Sequence, residues 1–113
     1  MFLSGCSLIK IYMSAGFDNK EYSLVNDVRT IAQYKDCTES HINTLYYKAG
    51  ELKNYSQYIP NNDKTIVLVN NLYNMVDEFH NRKEPSQAYC HEKLSLIETT
   101  AEKIQNAIGS KLK

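Results

Sequence analysis

The sequence has no tryptophan, and in 113 residues it has only four glycines and two prolines. So few chain breakers exclude a fold of many short strands joined by tight turns and favour long helices. An excess of one charge is missing too, since 13 basic residues balance 13 acidic ones. A balanced chain has no electrostatic reason to seek nucleic acid or an anionic surface, so no nucleic-acid partner is expected. Phosphate-loop and dinucleotide fingerprints are absent. With three cysteines the chain also falls short of a disulfide-dense scaffold, and at this length it makes one domain with a modest core.

What the chain does contain is helical periodicity. From Tyr34 to Ile59 an amphipathic pattern runs through Ile42, Leu45, Tyr46, Ala49, Leu52 and Ile59, the spacing of one helix face. Thr38 is a good N-cap, and Asp36 and Glu39 stand three apart in the manner of a capping box. Pro60 lacks an amide hydrogen and crowds Ile59, so this helix ends at Tyr58 or Ile59. A shorter helix from Tyr22 to Tyr34 carries Leu24, Val28 and Ile31 on one stripe. After the Asn61, Asn62, Asp63 turn, a third helix from Lys64 to Asn81 carries Ile66, Val69, Leu72, Val76 and Phe79, with Leu68 and Met75 widening its apolar arc. A fourth, from Ser86 to about Ile108, keeps Cys90, Leu94, Ile97, Ala101, Ile104 and Ile108 on one face, with Gly109 as its stop. The expected fold class is all-α, a small four-helix bundle. Residues 1–20, broken up by Ser14, Gly16 and the polar run Asp18, Asn19, Lys20, read as a tether, and residues 21–113 as the folded domain.

Catalysis finds little support in these patterns. Ser40 beside His41 and Asp77 beside Glu78 lack an orienting third group or a glycine-rich turn, so neither an enzymatic activity nor a small-molecule substrate or cofactor is expected. Cys37 and His41 stand at i and i+4 and could combine with Cys90 and His91 around zinc. Adjacent helix residues point about 100 degrees apart, however, and no metal site is expected. The tyrosines Tyr46, Tyr47, Tyr55, Tyr58 and Tyr73 suit a protein interface, because tyrosine offers large apolar area at low entropic cost. From periodicity, Leu45, Leu52, Leu68, Leu72 and Met75 are the candidate lining of a partner-binding groove.

Near the N-terminus, Leu3, Ser4, Gly5 and Cys6 resemble the lipobox of bacterial lipoproteins. The resemblance implies lipidation of Cys6 and a membrane anchor, and Ser7 after it resembles the sorting signal for the outer membrane. Met1 and Phe2 are too short for the charged and apolar regions of a signal peptide, so upstream residues are expected. With Cys6 consumed by lipid in an exported protein, Cys37 and Cys90 are left to form a disulfide in an oxidising compartment.

A broader likeness lies in the arrangement of these parts. The lipobox, a helix ending in Ala32, Gln33, Tyr34, the run from Cys37 to Ile42, and a second cysteine preceded by Glu84, Pro85, Ser86, Gln87 resemble the helical pilotins of type II secretion. Those are small outer-membrane lipoproteins with four helices and one disulfide. The resemblance implies a non-enzymatic chaperone on the periplasmic face of the outer membrane, gripping the C-terminal helix of a secretin and carrying it there. The alternative is an immunity or exclusion lipoprotein that blocks a toxin or phage component; its usual mark is an acidic or otherwise complementary patch, and the balanced charge weighs slightly against it.

Overall fold

A computed structural model describes residues 15–112. They form four helices, α1 (Asn19–Gln33), α2 (Glu39–Gln57), α3 (Asp63–Asn81) and α4 (Gln87–Gly109), followed by a short 3-10 turn, Ser110–Leu112. Each helix packs on its two ring neighbours, α1 on α2 and α4 and α3 on α2 and α4, and among the described residues no diagonal pair of helices brings its backbones together. With short connections this is an up-down-up-down four-helix bundle. Of the four seams, α1–α4 is packed most closely and α3–α4 least.

The caps show why the helices start where they do. Asp18 accepts the Glu21 amide at 2.8 Å, placing a carboxylate at the positive end of α1. The run Asp18, Asn19, Lys20 is therefore a helix start, and α1 begins inside the stretch expected to be tether; Phe17, further upstream, packs on the core. Thr38 caps α2 through the His41 amide at 3.3 Å, and Ser86 caps α4 through the Tyr89 amide at 3.1 Å. Asp36 instead accepts the Thr38 amide at 2.9 Å, which holds its carboxyl below the usual range. Asn62 occupies the cap position of α3 but makes no side-chain cap bond. Gly109 ends α4 without entering the left-handed region, and the chain tightens into the 3-10 turn instead. Lys35, Asn61 and Glu84, one in each interhelix connection, do adopt that conformation. Asparagine does so readily; for lysine and glutamate it is strained.

The core takes Leu24, Val25, Val28 and Ala32 from α1, Leu45, Ala49 and Leu52 from α2, Val69, Leu72, Val76 and Phe79 from α3, and the full stripe from Cys90 to Ile108 from α4. On α3 the inward position expected of Ile66 belongs to Thr65, and Ile66 is only half-buried. Cys37 and Cys90 form a disulfide with Cα atoms 6.2 Å apart, tying the start of α2 to the first turn of α4. Lys35 adds an ion pair with Glu98 across the same α1–α4 end of the bundle.

Candidate functional site

The expected partner groove is not a single surface. Leu45, Leu52 and Leu72 are fully enclosed in the core and offer nothing to a partner, because each occupies the inward stripe of its helix. This corrects the reading from periodicity, which cannot tell the centre of a wide apolar arc from its edge. Leu68 and Met75 lie at that edge. Leu68 is exposed, and Met75 is half-buried, its sulfur accepting the Thr100 hydroxyl at 3.6 Å across the α3–α4 seam. Residues seven apart share a helix face, as do residues four apart, so Leu68 and Met75 on α3 align with Leu96 and Thr100 on α4. Leu96 is 46% exposed, and Val67, which precedes Leu68 in the chain, 60%. Leu68, Met75 and Leu96 thus lie along the α3–α4 side of the bundle, with Leu68 and Leu96 on either side of the Met75–Thr100 contact.

A second surface runs over the outer face of α2, from Lys20 of α1 at one edge to Tyr73 of α3 at the other. Tyr46, Tyr47, Tyr55 and Tyr58 of α2 meet Tyr73 of α3 around an open groove of about 560 Å³. Gly50 forms part of its floor, and Lys20, Glu51 and Asn54 stand with the rings. The rings are linked to their surroundings. The Tyr46 and Tyr73 hydroxyls share a hydrogen bond at 3.2 Å, and Tyr46 stacks on His80 with centroids 4.0 Å apart. The Tyr55 hydroxyl donates to both oxygens of Asp18 at 3.0 Å, and Lys20 and Lys53 sit over Tyr55 and Tyr73. The bond with Tyr73, together with that phenol's charge when ionised, burial and Asp77, pushes Tyr46 up to about 12, and the Asp18 carboxylate raises Tyr55. All five tyrosines singled out in the sequence come together here. That Tyr73 joins the four of α2 was not legible, because it needs α3 to lie beside α2.

The remaining candidates are scattered. Cys6 and the lipobox lie outside the described residues. Cys37 and Cys90 are spent in the disulfide, so the four-residue zinc set is not available. His41 directs Nε2 to the Ile31 carbonyl at 2.7 Å, Ser40 is exposed, and His91 is exposed on α4. Among the described residues no three metal-ligating side chains gather, and no helix is long and apolar enough to cross a membrane.

Sequence reasoning missed a buried polar cluster at the end of the bundle that carries Asn62. Glu21 is fully enclosed, and its Oε2 accepts from the Ser56 hydroxyl at 2.7 Å and the Asn62 amide at 2.8 Å. Asn62 also donates to the Ser56 carbonyl, and Lys111 reaches Thr65 at 3.0 Å and Asn62 at 3.4 Å. This cluster joins three helices and the terminal turn, a structural role for polar residues that patterning assigns to the surface. No protein-family model, curated protein or solved structure matches this chain.

Proposed function

We propose that this domain is a non-enzymatic binding module of pilotin type, which seats an amphipathic helix of a partner, the C-terminal helix of a secretin, on the α3–α4 seam. In this reading a lipid on Cys6 carries the complex to the periplasmic face of the outer membrane. The observation that carries the proposal is the apolar strip of Leu68, Met75 and Leu96, left at the surface of a bundle whose core is already filled. A strip of three anchors along one seam matches the i, i+3/i+4, i+7 pattern by which an amphipathic helix docks. The disulfide supports the same reading, since it is the form that a staple takes in a small exported domain.

The test is a pull-down and titration calorimetry with a synthetic secretin C-terminal peptide. Binding is expected for the native chain and lost in Leu68→Glu and Leu96→Glu, both at exposed positions and both checked for retained helicity. Absence of binding to the native chain removes the secretin reading. Binding that survives both substitutions removes the seam.

A further inference from the structure

The tyrosine groove is separate from the α3–α4 seam, and its lining is of another kind. Among the described residues that line it, none is leucine, isoleucine, valine or methionine. Three of its rings are held before any ligand arrives: Tyr55 by Asp18, Tyr73 by Tyr46, and Tyr46 by the imidazole of His80. Tyr47 and Tyr58 stand free beside them, 75% and 86% exposed. Packing does not demand the glycine in the floor. A methyl group at Gly50 would meet the Tyr73 ring at 3.8 Å, an ordinary contact, so alanine fits there. Glycine weakens a helix interior, and what it provides here is an open recess between Tyr46 and Tyr47 on one side and Tyr55 and Tyr58 on the other.

We propose that this groove binds a short neutral oligosaccharide of flat, β-1,4-linked pyranose rings. The C–H face of such a ring is apolar and lies against phenol faces, while its hydroxyls both donate and accept hydrogen bonds. The polar groups match both roles: Glu51 accepts, Lys20 donates, and Asn54 does each. A proline-rich peptide also suits aromatic grooves, but its backbone offers acceptors and few donors, so of the two Glu51 carboxylate oxygens only the one paired with Lys48 is served. A helix with aliphatic anchors would find only aromatic and polar neighbours here, whereas the α3–α4 seam supplies what it needs. The volume of about 560 Å³ lies within the range of small-ligand sites.

The full chain is titrated with cellotriose and with chitotriose, followed by amide chemical shifts and calorimetry. At least one sugar is expected to bind at millimolar concentration or below, with shifts confined to the outer face of α2 and its edges at Lys20 and Tyr73. Tyr47→Ala and Tyr58→Ala, exposed positions checked for unchanged helicity, each weaken it by about tenfold, the loss of one stacked ring. Gly50→Ala fills the recess and weakens binding while the melting temperature rises. The proposal is overturned if neither sugar shifts any amide, if the shifts map elsewhere, if both tyrosine variants bind as the native chain does, or if a polyproline peptide binds better than either sugar. None of these outcomes depends on the secretin peptide, so the two proposals stand or fall separately.

Discussion

The side-chain amide of Asn62 donates a 2.8 Å hydrogen bond to the carboxyl of Glu21, 41 residues earlier, although Asn62 sits at the cap position of its own helix. The cap bond is given up for a contact that joins α3 to α1 and, through Ser56, to α2. Asn62→Ala removes one of the two donors to Glu21 and the donor to the Ser56 carbonyl, both buried. The expected cost is about 1–3 kcal/mol, read as a lower urea midpoint at unchanged slope. An unaltered midpoint would show that the cluster contributes nothing to stability.

The Cys37–Cys90 bridge closes a loop of 53 residues. In the chain-entropy model a loop of that size adds about 4 kcal/mol, by restricting the unfolded chain. Reduction, or the Cys37→Ser, Cys90→Ser double variant, should lower the denaturation midpoint steeply while the far-ultraviolet spectrum at low temperature stays helical. Equal midpoints with and without reductant would contradict this.

Two leucines four residues apart on α3 should behave oppositely. Leu72 is fully enclosed, so Leu72→Ala leaves a cavity and is expected to cost about 2–5 kcal/mol. Leu68 is 38% exposed, and Leu68→Ala should cost about 1 kcal/mol or less, acting on partner binding instead. Thermal unfolding of the two variants side by side decides the matter, and similar losses would place Leu68 in the core as well.

Gly50→Ala should stabilise the bundle by up to about 1 kcal/mol, because alanine is the better helix former and the added methyl makes an ordinary contact with Tyr73. A lower melting temperature would mean that α2 and α3 approach each other more closely than the 3.8 Å contact indicates.

Tyr46 should make the fold sensitive to alkali. Its phenol is raised from 10.0 to about 12, first by the hydrogen bond with Tyr73. A group whose folded value lies above its unfolded one contributes stability that is complete below the unfolded value and is lost as pH climbs through the folded one. Stability should therefore fall between about pH 10 and pH 12, and Tyr46→Phe should flatten that slope. Urea midpoints across the interval, with tyrosinate absorbance recorded alongside, provide the measurement; an identical slope in both proteins would assign the effect to other groups.

The candidate surfaces were legible only in part. Leu68 and Met75 could be named from their place on a wide apolar arc, yet Leu45, Leu52 and Leu72 were named with them and are core. A helix pattern gives the angle of each residue around its own axis. It does not give the direction from which the neighbouring helices close. The tyrosines were visible as a group in composition, but that Tyr73 and Lys20 flank the four tyrosines of α2 required α1 and α3 to lie on either side of it.

The sequence alone determined that the chain is helical, roughly where its helices lie, and which stripe of α4 turns inward. Those facts depend on the 3.6-residue period and on caps such as Thr38 and Ser86, which act within a few residues of chain. Tertiary structure alone decided that Asn62 turns inward to Glu21, that Lys35, held by Glu98, accepts a strained backbone, and which leucines remain at the surface. Each of these is settled by partners far away in the chain, whose packing outweighs the local preference.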